Sequence, residues 1–467
     1  MDSIQKVKEL IGFTHTFDFN ERIIKNHNYS FSLLYNTFIT SSMKLTLLVN
    51  DFISIKEQIN ESNFIEVLSN SFSCESLKIN DDKTEIAKAL FNGDLVIMMK
   101  GYNKAVIIDL KNYPARSLSE PDSEKVVRGS RDGFTENLNV NIGLIRRRIK
   151  DEHLVMKCFE IGKVSKTKVV LLYLENIISE KVKVTIETKL KSIRVNELTL
   201  TDKALEELLL NNFYTPYPLI KYTERPDTLA MHLYQGMFGI IVDTSPSAII
   251  GPVSVFDHLQ HAEEFRQTVI AGTYLRLIRF IGIIFSFFSV PVWLALSSIN
   301  YTIPFFSYLF LTDVPFNQLF LQVLIAEIAV ELIRMASIHT PNALATSMGL
   351  ISGLILGDMA IKVGIVKEQV VILSAISAIG SYITPSYELS LAAKISKIFI
   401  ILMVFILKIT GLIISILILL IYLACLKSFT RPYLYPLIPF NFHDLIKQMV
   451  RLPYKKKEKV KNIKNYN

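Results

Sequence analysis

Residues 120–149 read EPDSEKVVRGSRDGFTENLNVNIGLIRRRI. Around Gly129 and Gly133 this stretch sets Glu120, Glu124, Arg128, Arg131, Asp132, Glu136 and the triplet Arg146, Arg147 and Arg148. A surface helix does not need so many opposite charges at such fixed spacing. Two readings follow from the residues alone. A glycine-containing, arginine-dense loop that runs into a helix suits an anionic group or an acidic partner. The same charges also suit an internal salt-bridge lattice holding two subdomains together. The Phe134–Arg148 portion has helical character and opens the second of two α/β units.

Upstream, Lys44–Val49 reads as a strand, while Glu57–Asn70 and Lys83–Phe91 read as helices. Leu95–Lys100 and Ala105–Leu110 form a hairpin-like pair about a turn at Gly101, Tyr102 and Asn103. The lead-in Asp18–Phe38 mixes apolar and polar positions and is expected to be helical, and Pro114 and Pro121 bracket a linker. Downstream come strand Lys168–Leu174, helices Val182–Ile193 and Asp202–Leu209, a Pro-rich turn at Thr215–Pro218, and strand Gly236–Val242. Short strands mixed with helices predict two α/β subdomains, 1–118 and 119–275.

The charged stretch resembles the signature of the GerA family, the A subunits of spore germinant receptors. Every fixed position of that signature is filled, from Glu120 and Pro121 through Gly133, Phe134, Glu136 and Asn141 to Ile149. Thr223, Glu224, Arg225, Pro226 and Asp227 match the family's T-E-R-P-D box, which by its chemistry is a helix start with Thr223 as N-cap. Asp243, Ser245 and Pro246 resemble its D-G-S-P turn, but Thr244 replaces the glycine and argues against a left-handed turn. Glu263, Glu264 and Phe265 stand where the family has E-D-Y. The segment from Ser428 to Pro439 resembles its proline-rich ending, with Thr430 for a glycine.

The chain has 467 residues, enough for two or three domains. Half of them are hydrophobic and mean hydropathy is +0.34, with the excess gathered between residues 280 and 430. Net charge is +8, and much of it lies in the tail from Arg451, where seven basic residues face one acidic residue. The basic balance is therefore no nucleic-acid footprint. The tail suits a cytoplasmic anchor near anionic lipid, or a solvated disordered end. The opening MDSIQKVKELIGFTHTF lacks the apolar core of a signal peptide, so no cleaved leader is expected and the soluble half stays on the side where it is made. Cys74, Cys158 and Cys425 are scattered and show neither a disulfide framework nor a zinc pattern. No phosphate-binding, dinucleotide-binding or nucleophile-elbow motif is present. His258, His261 and Glu264 are metal-ligand types at i, i+3 and i+6, but a polar helix near a membrane surface is the better reading. No cofactor and no catalytic constellation is expected.

Phe280–Ile299 is an apolar stretch long enough to cross a bilayer core of about 30 Å, with Pro291 as a kink point. Arg276 and Arg279 before it favour a cytoplasmic start. Tyr301–Leu311, with Pro304, is too short to span. Leu319–Ser337 carries Glu327, Glu331 and Arg334 on one helical face. Charges facing lipid would cost roughly 2.5–3.5 kcal/mol each, so this face meets protein, water or the interface, as an internal ion pair or an ion path. Ala343–Ala360 holds Gly349, Gly353 and Gly357 as a close-packing ridge, followed by a possible Asp358–Lys362 pair. Val366–Tyr387 is a further candidate crossing. Ile395–Cys425 would be roughly 46 Å as one helix, too long for an upright span. It is tilted, or kinked near Lys408–Gly411, with Lys408 expected to point into the bundle. An even number of crossings is required if both ends are cytoplasmic, and Leu319–Ser337 is the segment expected to enter without crossing. These segments make 276–428 a helical transmembrane domain. The remainder, 429–467, is a proline-rich segment, an amphipathic helix and the basic tail.

The resemblance implies an A subunit of a nutrient germinant receptor in the inner membrane of an endospore. Such subunits work with a transporter-like B subunit and a lipoprotein C subunit, and are thought to oligomerise into a ligand-gated cation channel. Glu327, Glu331, Arg334 and Asp358 are the candidates for its ion path or gate. Two rival readings are a self-contained secondary transporter, which would need repeated membrane halves, and a membrane-tethered binding or scaffold protein. A tethered enzyme would need a nucleophile, base or metal constellation that is not evident.

Overall fold

The computed structural model describes residues 3–26, 29–60, 63–72, 77–113, 124, 126, 129–210, 214–299, 314–339 and 358–452. Glu120, Pro121, Arg128, the Tyr301–Leu311 stretch, the ridge of Gly349, Gly353 and Gly357, and the basic tail beyond Leu452 lie outside the described residues.

The first unit runs α1 (Ser3–Leu10), β1 (Phe19–Asn26), β2 (Tyr29–Asn36), α2 (Ser42–Ser54), α3 (Phe64–Ser71), β3 (Leu77–Asn80), α4 (Lys83–Asn92), β4 (Leu95–Met99) and β5 (Ala105–Ile108). Its strands are antiparallel in the order β1-β2-β4-β5-β3. The second unit runs α5 (Leu138–Arg148), β6 (Leu154–Ile161), β7 (Thr167–Leu174), α6 (Glu180–Ser192), α7 (Thr201–Leu210), β8 (Lys221–Thr223), α8 (Pro226–Leu233), β9 (Phe238–Val242) and β10 (Ala248–Gly251). Its strands are antiparallel in the order β6-β7-β9-β10-β8. Element for element, the second unit repeats the first.

Several expectations are corrected. Asp18–Phe38 is not helical but contains the β1–β2 hairpin; β2 is buried on both faces from Phe31 to Leu34, so it shows no period of two. Lys44–Val49 is not a strand but part of α2, capped by Ser41, with Leu48, Val49 and Phe52 buried at helical spacing. The helix expected over Glu57–Asn70 begins only at Phe64. Thr223 lies in β8, and Arg225 is the N-cap of α8, with Pro226 in its first turn. Thr244 adopts a left-handed φ of 67° despite its β-branch, and its N–H donates to Glu136 O at 2.9 Å.

Arg146 joins the two units. It and Asp18 are wholly buried, with Arg146 Nε 2.7 Å from Asp18 Oδ2. Asp18 also accepts from Asn36 Nδ2 at 2.8 Å, and the guanidinium lies against the rings of Phe19 and Phe91.

The C-terminal half continues with α9 (Val255–Leu259), α10 (Ala262–Arg266), α11 (Val269–Ser297), α12 (Phe316–His339), α13 (Glu368–Ile383), α14 (Tyr387–Cys425), the short β11 (Lys427–Ser428) and β12 (Arg431–Pro432), and α15 (Phe442–Met449). Val269–Ser297 and Tyr387–Cys425 are long and apolar enough to cross a membrane. The Val366–Tyr387 stretch is not one helix: α13 stops at Ile383, and Tyr387 already opens α14.

The helix α14 doubles back on itself. Tyr217 Oη is 2.7 Å from Ser396 Oγ, and its ring is 6.1 Å from that of Tyr422. In an unbroken helix those two partners would be about 39 Å apart, beyond the reach of one side chain. Leu389, Ala392 and Leu426 share one cluster with Tyr217, which places both ends together. The reversal is Lys408, at φ 53° and ψ −134°. A break at Lys408–Gly411 was expected, but Lys408 is exposed at the tip and does not point into the bundle. Arms 387–407 and 409–425 are about 31 and 25 Å long. Beneath the tip, a Cβ on Gly411 would come within 2.0 Å of Met403 O, so only glycine fits there.

The helix α12 runs the length of this bundle and does not stop part-way. The ring of Phe320 stacks on Phe405 near the tip, at 4.1 Å, and at the other end Arg334 lies 4.9 Å from the centre of the Tyr387 ring. The helices α11 and α13 are antiparallel: Ser286 Oγ donates to Ser377 O at 2.7 Å and Ser377 Oγ donates to Ser286 O at 2.8 Å. Lys367 N donates to Gln322 Oε1 at the tip end.

Two substitutions test these joints. Arg146→Met leaves the Asp18 carboxylate buried and unpaired, so it should lower stability by about 3–5 kcal/mol; adding Asp18→Asn should recover part of that loss in denaturant unfolding of the purified chain. Gly411→Leu should separate the arms of α14, read as faster amide exchange over residues 400–416 than in the parent.

Candidate functional site

The charged signature and the T-E-R-P-D box form one lattice. Arg225 is wholly buried; its Nε and Nη2 hold Asp227 at 3.0 and 2.9 Å, and its other bonds go to Glu124 O at 3.2 Å and Ser130 O at 3.0 Å. Glu124 accepts from Thr223 Oγ1, and burial pushes its carboxyl above the usual range despite Lys221 nearby. Arg148 pairs with Asp132 and donates to Ser130 Oγ at 3.1 Å. Arg147 lies over the Tyr113 ring at 5.2 Å, while Arg131 and Glu136 are exposed. The described arginines thus meet Asp18, Asp132, Asp227 and backbone carbonyls. None of them pairs with the Glu136 side chain.

A second constellation lies among the apolar helices. Glu327 on α12 accepts from Lys397 on α14, whose Nζ also donates to Ser377 Oγ on α13 at 2.7 Å. The side chains of this pair are only 11% and 5% exposed. One turn along, Glu331 accepts from Lys394 and from Arg334, whose Nε is 3.1 Å from both carboxylate oxygens. The ladder therefore joins Glu327, Glu331 and Arg334, which share a helix face, to two lysines of the first α14 arm. Beside it opens a pocket lined by Ser286, Ser381, Thr384, Ser390, Lys394 and Lys397. Among the described residues, Glu327 Oε1 and the hydroxyls of Ser374 and Ser289 are buried with no hydrogen-bond partner. Asp358 takes no part; it pairs with Lys362 on an exposed turn.

Lys394 and Lys397 were missed from sequence because they sit at the foot of an apolar run. Their i, i+3 spacing matches the i, i+4 spacing of Glu327 and Glu331 on an antiparallel neighbour, and that was the available signal.

His258 and Glu264 lie on different helices, α9 and α10, with His261 as the N-cap of α10. The Glu264 carboxylate is taken by Arg276 and Arg279. Among the described residues no three His, Cys, Asp or Glu side chains gather as a metal site. His258 packs instead in a buried junction between the second unit and the proline-rich strip. There Arg431 Nη1 donates to Asp257 Oδ2 at 3.0 Å, Lys221 Nζ donates to Asp257 O at 2.9 Å, and Val255 N donates to Tyr433 O at 2.9 Å. Burial, with Lys221 adding to it, takes His258 down to about 3, and burial takes His232 and His261 down to about 4. An unfolded histidine titrates near 6.5 and takes its proton first, so stability falls as pH drops below about 6.5. Burial opposes the charge on Asp257, yet Arg431 holds its carboxyl below the usual range, so its contribution is lost only at lower pH. With intrinsic rates divided out, amide protection in β8 and β10 should therefore fall between pH 7.5 and 5.5, and His258→Asn should remove part of that dependence.

The chain is 38% identical over 449 residues to stage V sporulation protein AF of Bacillus subtilis (strain 168), covering 95% of this chain and 90% of that protein. It is 33% identical over 411 residues to spore germination protein XA of Bacillus anthracis, covering 87% and 83%. To spore germination protein A1 of Bacillus subtilis (strain 168) it is 28% identical over 456 residues, covering 96% and 93%. Among solved structures, the crystal structure of the N-terminal domain of the A subunit of the Bacillus megaterium spore germinant receptor GerK3 is 26% identical, covering 53% of this chain and 92% of that one, with a TM-score of 0.42. Residues 5–463 match the family described as Bacillus/Clostridium GerA spore germination protein, and the chain belongs to that family.

Proposed function

We propose that this chain is the A subunit of a nutrient germinant receptor in the inner membrane of an endospore. With B- and C-type partner subunits it assembles into an oligomer that opens as a cation channel, and it catalyses no reaction. The observation that carries this reading is the ladder of Glu327, Lys397, Glu331, Lys394 and Arg334 between helices that are otherwise apolar. Ionisable groups in such surroundings mark ion pathways and gates. In this reading the described helices α11, α12, α13 and the two arms of α14 form the membrane part, with the soluble units at one end of it. Arg276 and Arg279 at the start of α11 favour a cytoplasmic position for the soluble units.

A second reading has its own support, since identity to a stage V sporulation protein is 38% against 28–33% for two germination proteins. A strain lacking the chain separates the two. Normal spores that fail to respond to one nutrient class favour a receptor subunit, whereas defective spore formation favours the sporulation role. For the channel itself, Glu327→Gln in the assembled complex should lower cation flux on nutrient addition by about tenfold or more, with protein levels maintained. Unchanged flux and selectivity would remove the ladder from the ion path.

A further inference from the structure

The carboxylate at the centre of the ladder already holds a cation, and that cation belongs to the chain. The Lys397 ammonium is held by the Glu327 carboxylate and by Ser377 Oγ, the latter at 2.7 Å. Glu327 Oε1 is buried and has no hydrogen-bond partner among the described residues. Carboxylate and hydroxyl oxygens around a small singly charged group are the ligand set of a hard monovalent cation. With the ammonium withdrawn, one monovalent ion restores neutrality at Glu327, whereas a divalent ion would leave an excess positive charge in apolar surroundings.

We propose that Glu327 and Ser377 form a monovalent-cation site, and that Lys397 plugs it in the state seen here. Its physiological meaning rests on the cation-path reading above, but the site can be tested without conduction. The fold also supplies a handle on the plug. Ser396, the residue beside Lys397, is bonded to Tyr217 of the soluble unit at 2.7 Å. A shift of Tyr217 therefore acts on the backbone that carries the lysine. Lys394 holds Glu331 in the same way, one turn nearer the soluble units.

The test uses the purified full-length chain and Rb⁺ as the probe, with choline as a cation too large for the site. Lys397→Gln should bind Rb⁺ where the parent and Lys397→Arg do not. Its melting temperature should rise by about 5 °C in saturating rubidium chloride relative to choline chloride. Glu327→Gln combined with Lys397→Gln should lose both responses. The proposal is overturned if Lys397→Gln melts at the same temperature in both salts, folds in neither, or keeps its Rb⁺ response once Glu327 is neutralised. In vesicles, Lys397→Gln should raise unstimulated Rb⁺ efflux about tenfold or more, as expected for an unplugged path. Rb⁺ binding with no efflux, from the variant or from a stimulated complex, would uphold the site and remove the cation-path reading.

Discussion

A charge taken out of water must be paired there or it costs several kcal/mol. At three places in this chain that constraint decides which elements are neighbours. Arg146 and Asp18 bind the second soluble unit to the first. Glu264, wholly buried, gathers Arg276 and Arg279 from the start of α11 and so fixes how the soluble half meets the helical half. Lys397 and Glu327 clamp the first α14 arm to α12, with Ser377 bringing in α13. Hydrophobic packing fills the space between, but it is non-directional. The paired charges supply the registry.

The soluble units were legible where local chemistry was decisive. The β4–β5 hairpin declared itself through two apolar runs about Gly101, Tyr102 and Asn103, and α4 through the spacing of its apolar residues, to which the structure adds Asp82 as N-cap and Gly93 as C-cap. The β1–β2 hairpin was not legible, because a central strand buried on both faces loses its alternation. Lys44–Val49 was misread because a short apolar run fits either a strand or a buried helix face. Among the site residues, Glu327, Glu331 and Arg334 stood out as charges in an apolar run, whereas the lysines that pair with Glu327 and Glu331 are more than sixty residues away in the chain. The pairing of Arg146 with Asp18 has no local signal at all. Family membership was legible throughout, since it rests on residue identity and not on folding.

The two soluble units share strand order and helix placement from α1 to β5 and from α5 to β10. Their sequences gave no hint of it. The charged signature falls at the seam, where the first copy ends and the second begins. That placement explains its density of arginines: a surface that would be solvent-facing in a single unit is here enclosed by the neighbouring unit and by Arg225 and Asp227 of α8. Thr244 fits the same picture, its strained turn held by a hydrogen bond to the Glu136 carbonyl at the edge of the signature.

The reversal at Lys408 gives the helical half a mechanical property that a straight span would lack. Both arms of α14 return to Tyr217, so they hang from the soluble units at one end and are joined to each other at the other. The geometry is that of a lever whose fulcrum is the attachment at Tyr217. From Ser396 to the tip is about 18 Å, so a tilt of about 10° carries the tip roughly 3 Å. Phe405, which stacks on Phe320 and Phe316 close to the tip, travels with it. A displacement too small to disturb the packing around Tyr217 is thereby enlarged at the far side of the bundle.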